Sequence, residues 1–177
     1  METKNFKISN TESQVNWIGK KVTGQHNGTI NIEEGFFTFS NDELTGGNIT
    51  IDTTSIVILD VTDPATNQQF AGHLASDDFF STDKFQTATL DIKAVSKQSS
   101  SDYFIEGNLT IKAITHPIGF NLEVKRNEND LSASGKIIID RTKYDMKFRS
   151  GNFFTNLGDT LIYNEFELDV NLTAKVA

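Results

Sequence analysis

No cysteine occurs among the 177 residues, and the chain has only two prolines and one tryptophan. Without cysteine there is no disulfide framework, no thiolate nucleophile and no Cys-ligated zinc. Positive charge is also scarce: 16 Lys and Arg stand against 24 Asp and Glu, for a net charge of -8. The densest basic pairs are Lys20-Lys21 and Lys125-Arg126. Nucleic acid and anionic membrane surfaces both need clustered cations, so neither is expected as a partner. No run reaches the roughly 18 apolar residues of a spanning helix, so no integral membrane segment is expected. The opening METKNFKISNTESQVNW lacks the apolar stretch of a secretory signal. The chain therefore reads as cytoplasmic, or as periplasmic if a leader has been removed.

Signs of chemistry are equally thin. The three histidines, His26, His73 and His116, show no H-x-x-x-H spacing. Neither G-x-S-x-G nor a phosphate-binding glycine loop is present. Asp77, Asp78 and Asp83 do not fit the spacing of an EF-hand loop. These absences predict a protein that is not an enzyme and uses no metal or cofactor.

What the chain has in quantity is phenylalanine, 14 in all, and strand-like alternation. Val15 and Trp17 share a face, as do Ile30 and Ile32, Phe37 and Phe39, and Ile49 and Ile51. Leu90 and Ile92 follow, then Ile105, Leu109 and Ile111, then Ile118, Phe120, Leu122 and Val124. The series ends with Ala133, Ile137 and Ile139, then Tyr144, Met146 and Phe148, then Phe166, Leu168, Val170 and Leu172. Thr50, Asp52, Asp91, Lys93, Thr110, Lys112, Glu165, Glu167 and Asp169 fall on the opposite, wetted face. One apolar and one polar face marks antiparallel strands around a core. Turn signals at 33–35 (EEG), 40–47 (SNDELTGG), 98–102 (QSSSD) and 127–130 (NEND) separate nine or ten short strands. Closure into a barrel removes exposed edges, and no linker or repeat divides the chain, so one domain spanning 1–177 is expected.

Residues 64–76, PATNQQFAGHLAS, break the pattern. Asp63 suits an N-cap and Pro64 a first helical position, which predicts a short helix with Phe70 and Leu74 on one face. The aromatics continue into GHLASDDFFSTDKF, where Phe79 and Phe80 stand adjacent. Two readings are open. The helix and these rings seal one end of a filled barrel, or they line the mouth of a cavity for an apolar ligand.

The segments VNWIGKKVTGQHNGTI, GGNITIDTTSI, GHLASDDFFSTDKFQTATLDI, GNLTIKAITHPIGF and IIIDRTKYDMKF, in this order and spacing, resemble the YceI-like family from about residue 8 to 175. The resemblance implies an elongated, antiparallel, eight-stranded lipocalin-like barrel, all-β apart from the capping helix near 64–76. It further implies a bore that holds a long isoprenoid or similar amphiphile, such as a quinone or prenyl phosphate, for storage or transport. The wall candidates are Trp17, Phe37, Phe39, Ile51, Phe70, Leu74, Phe79, Phe80, Ile111, Phe120, Ile138, Phe148, Phe154 and Leu168. Among them Ile138 requires a bulge after Gly135, because Ile137 and Ile139 share the other parity. Lys20, His73 and Arg141 are the candidate donors to a head group. The competing roles are pairing of Arg141 with Asp140 or Asp145, and bonding of His73 to a loop carbonyl. A homodimer is also compatible with the resemblance. The alternative function is a packed barrel that contacts protein or glycan through its loops, including the stretch with Phe153, Phe154 and Leu157.

Overall fold

The structure, a computed structural model, describes residues 3–151, 153–154, 157–158 and 161–177. Among these residues the strands are β1 (Thr3–Ile8), β2 (Gln14–Lys21), β3 (Gly24–Ser40), β4 (Glu43–Ile58), β5 (Thr87–Lys97), β6 (Asp102–Ile111), β7 (Ile114–Arg126), β8 (Asp130–Asp140) and β9 (Ile162–Val176). Helix α1 (Pro64–Ala75) joins β4 to β5, and a 3-10 turn (Arg141–Tyr144) follows β8. Pairing runs β3-β2-β9-β8-β7-β6-β5-β4 and returns from β4 to β3, so the sheet closes into an antiparallel barrel of eight staves. Nine strands make eight staves because β1 and β2 share one place between β3 and β9. β2 pairs with the first half of β3 and β1 with its last five residues.

The strands are longer than the alternation suggested. EEG at 33–35 is not a turn but lies inside the 17-residue β3, where the register slips between Ile32 and Glu34. That slip switches the parity, so Ile30 and Ile32 point inward before it and Phe37 and Phe39 after it. At about 3.3 Å per residue such a strand runs roughly 55 Å, which makes the barrel tall for its girth. The turns at 98–102 and 127–130 stand where the polar clusters put them, and Asn41 and Asp42 turn the β3–β4 hairpin with φ of 51° and 67°.

Helix α1 starts where its cap predicts. Asp63 Oδ2 accepts from Thr66 N at 2.9 Å, and Pro64 occupies the first turn. No residue of α1 is fully buried. The helix is tethered by Asn67, whose Nδ2 donates to Ile58 O and Val61 O at 3.0 Å each. Its return path is tethered by Thr53, whose Oγ1 donates to Phe85 O at 2.6 Å. The helix thus lies across the end of the barrel formed by the β2–β3 and β6–β7 hairpins and the 3-10 turn.

A narrow apolar bore with an aromatic cap

Inward-facing side chains of β2 to β9 enclose a cavity with about 70 Å³ open to the centre of a water-sized sphere. Sixteen residues line it, all Val, Ile, Leu or Phe, among them Val15, Ile51, Leu109, Phe120, Ile137 and Leu168. The lining arises from strand parity: wherever a long strand keeps its register, every second residue faces the bore, and those positions are apolar. Such a surface offers no hydrogen bond and can hold only an apolar guest.

Above the bore, the α1 end is closed by rings. Phe70 packs edge-on to Trp17 (6.5 Å between centroids) and to His26 (4.7 Å). Phe79 and Phe148 meet at 5.9 Å, with the His73 ring 5.0 Å from Phe79 and 4.5 Å from Phe148. Phe80 meets Phe166 at 6.2 Å. The turn that carries Phe79 and Phe80 is held by its own backbone: Phe79 N donates to Ser76 O, Phe80 N to Leu74 O and Ser81 N to Ser76 O. Ser81 adopts φ 49°, and its Oγ donates to Asp77 at 2.6 Å.

Two buried cations lie beneath this cap, Arg141 under the Phe79 ring and Lys112 bonded to the turn that carries it. Arg141, 3% exposed, donates from Nε to Tyr163 O (3.0 Å), from Nη1 to Met146 O (2.6 Å) and from Nη2 to Ile162 O (3.1 Å). Burial lowers its pKa below the ordinary value, and the nearby Asp140 carboxylate partly offsets this. Lys112 donates to Asp77 O (3.1 Å) and Asp145 O (2.9 Å), joining the Phe79–Phe80 turn to the end of the 3-10 turn.

Of the expected wall residues, Phe37, Ile51, Phe120 and Leu168 line the bore. Trp17, Phe70, Leu74, Phe79, Phe80 and Phe148 belong to the cap or its edge, and Ile111 is core next to the β6–β7 turn. Phe39 is buried at the opposite end, edge-on to Phe6 at 5.2 Å. Two expectations are corrected. Ile138 is 56% exposed beside Glu167, because β8 runs against β9 without a register slip and no bulge follows Gly135. Phe154 is 48% exposed, outside the closed strands.

The head-group candidates need the same sorting. Lys20 sits on the outer wall, paired with Glu167 at 3.1 Å, because its parity opposes that of Trp17. His73 Nε2 lies 2.9 Å from Asp78 Oδ2, a carboxylate rather than a loop carbonyl. Arg141 takes neither a carboxylate nor an open position; its three nitrogens meet backbone carbonyls. Lys112 was assigned to the wetted face but is buried. The two-residue β6–β7 turn, left-handed at Lys112 (φ 54°) and Ala113 (φ 61°), swings it under the cap. Phe166 also belongs to the cap, and its place in the alternating series was its only signal.

The geometry agrees with the relatives. The YceI-like domain matches residues 6–174. A UPF0312 protein of Photorhabdus laumondii is 28% identical over 139 residues, covering 74% of this chain and 65% of that protein. One from Staphylococcus aureus is 38% identical over 89 residues, 46% of this chain and 49% of that protein. The chain thus spans about half the length of the staphylococcal relatives it matches. Among solved structures, BcnA of Burkholderia cenocepacia shares the fold with a TM-score of 0.71 at 18% identity, over 94% of this chain and 99% of BcnA. A polyisoprenoid binding domain from Saccharophagus degradans does so with a TM-score of 0.69 at 14% identity, over 97% and 98%. With a barrel of this topology and a profile that covers all but the ends of the sequence, the chain belongs to the YceI-like family.

Proposed function

We propose that this protein binds a long apolar chain of the isoprenoid class inside the barrel, for storage or transport rather than for chemistry. The observation that carries the reading is the bore itself, lined by sixteen aliphatic and phenylalanine side chains. The naming of the Saccharophagus degradans domain as polyisoprenoid binding supports the same class of guest. Each CH₂ moved from water into such a bore gains about 0.8 kcal/mol. Ordering the tail and the mouth offsets part of that. A water needs roughly 10–15 Å³ on the same measure, so about 70 Å³ is a narrow channel. A tail several isoprene units long therefore enters by turning Ile and Leu rotamers and by displacing part of the cap.

Mass spectrometry of an organic extract from gently purified protein, followed by uptake of added geranylgeraniol, tests the reading. Co-purifying lipid or stoichiometric uptake is expected, and filling the bore with Ile51→Phe and Leu168→Phe should abolish uptake while the circular dichroism stays β-rich. Absence of both lipid and uptake would favour a second reading, a filled barrel that contacts protein or glycan through its loops. Phe153 and Phe154, 50% and 48% exposed, favour that reading.

A further inference from the structure

Trp17 stands at the rim of the bore. Val15, two residues back on the same face of β2, lines the bore, and so does Leu168, its direct partner in β9. On the other side its partner is Gly28, where a Cβ would lie 2.7 Å from the indole ring and 1.8 Å from Val57 O. Only glycine leaves room for the indole there. Phe70 of α1 meets the ring edge-on. In this position the indole Nε1 is buried and has no hydrogen-bond acceptor. Among the described residues only one other buried side-chain nitrogen or oxygen shares that state, Nη1 of Arg126 at the opposite end.

Buried donors in folded proteins are nearly always paired. A water could pair this one only if two or more further polar groups faced it; Phe70 meets the ring, Leu168 is its partner in β9, and the Val57 carbonyl lies on the Gly28 side of it. We infer that the Trp17 indole N–H is the hydrogen-bond donor for the polar head of the chain bound in the bore, and that it selects an uncharged acceptor such as a ketone, quinone or hydroxyl oxygen. The inference rests on the carrier reading above and adds to it the position and the chemistry of the head.

The preference for a neutral head follows from the surrounding charges. A single neutral donor cannot offset the burial of a diphosphate. The cations Arg141 and Lys112 are committed to carbonyls and Lys20 to Glu167, and the rings of His26 and His73 lie beside Asp60 and Asp78. Arg149 is exposed and lies over the Phe148 ring, 4.9 Å from its centroid. A charged head would have to stay at the surface with Arg149, whereas a neutral acceptor can follow its tail under α1.

Three probes with related tails separate the possibilities: geranylgeranylacetone, which ends in a ketone, the headless hydrocarbon phytane, and geranylgeranyl diphosphate. Calorimetric titration of the wild type should show the ketone bound about tenfold more tightly than phytane, the usual worth of one hydrogen bond. Trp17→Phe keeps an aromatic ring but removes the N–H with the five-membered ring, so its readout is the ratio of ketone to phytane affinity, which should fall to about one whatever the change in phytane affinity itself. Because Trp17 is the sole tryptophan, ultraviolet resonance Raman of the wild type reads the same bond without a substitution. The indole N–H band should shift to its hydrogen-bonded position with the ketone and stay put with phytane. An unshifted band, equal weakening of ketone and phytane by Trp17→Phe, or tighter binding of the diphosphate than of the ketone would overturn the assignment and leave the carrier reading standing. If the wild type takes up none of the three, the carrier reading falls and this assignment falls with it.

Discussion

The two ends of the barrel are both closed by phenylalanine, but in different ways. At the end away from α1, Phe6, Phe37 and Phe39 are at most 2% exposed, and Ile8 and Ala174 are as deeply buried. Those rings are brought in by strands: β1 is laddered to both β3 and β9, and the Arg126 guanidinium lies over Phe6 and Phe39 while contacting Asp42. At the α1 end, Phe70, Leu74, Phe80, Phe148 and Phe166 remain partly exposed. A helix with no buried residue and a self-bonded turn deliver Phe70, Leu74 and Phe80, whereas Phe148 follows the 3-10 turn and Phe166 is carried on β9. A ring carried on a paired strand moves only if the sheet opens, whereas a ring carried on a loop moves with the loop. The end away from α1 is a stopper and the α1 end is a lid, and the carrier proposal would have a guest enter at the lid.

The largest effect that would break this contrast comes from truncating one ring at each end. Phe6→Ala should cost about 3–5 kcal/mol in urea denaturation, the range for a large core ring. Phe70→Ala, at a half-exposed site, should cost about 1 kcal/mol or less. Equal losses would mean that both ends are core. Next in size is Arg141→Met, which leaves the carbonyls of Met146, Ile162 and Tyr163 without their donor and should cost about 2–4 kcal/mol. Hydrogen exchange sharpens the comparison further. The amides of Phe79, Phe80 and Ser81, bonded only to Ser76 and to Leu74 at the end of α1, should exchange through local opening. Those of Phe6 and Phe37, bonded across β1 and β3, should exchange only with global unfolding.

Strand parity carried most of what was legible beforehand. Every residue that lines the bore belongs to the alternating series read from the sequence, including Ile49, Leu90, Leu122 and Leu172. Parity did not sort the larger aromatics by height, so the wall candidates include residues of the cap and of the far end as well as of the bore. Alternation gives the face of a residue but not its height along a 17-residue strand, so Phe39 and Phe120 look alike in sequence. Ile138 shows the cost of overriding parity without an observed bulge. Lys112 and Arg141 were illegible for another reason: their roles depend on carbonyls 33 to 35 and 5 to 22 residues away, which only the closed barrel brings near. The N-cap at Asp63 was legible because capping is local.

The smallest expected effect concerns acid. Three carboxylates around the lid are held below their ordinary pKa of 3.8. Asp77 is lowered first by the Ser81 hydroxyl and then by Lys84, and Asp63 by the hydroxyl and amide of Thr66. For Asp60, partial burial would raise the value, but Asn27 N and His26 outweigh it. A carboxyl group whose folded pKa is depressed contributes stability that is fully present above its unfolded value and is lost as pH falls through its folded value. Asp77→Asn mimics the protonated acid. The gap in urea midpoint between wild type and Asp77→Asn should therefore hold constant above about pH 5 and close below about pH 3.8. In the same window exchange at Phe79 and Phe80 should quicken before exchange at Phe6 does, since the depressed carboxylates brace the lid rather than the stopper. A gap that persists undiminished at low pH would mean that Asp77 acts through its shape rather than its charge, and that acid leaves the lid in place.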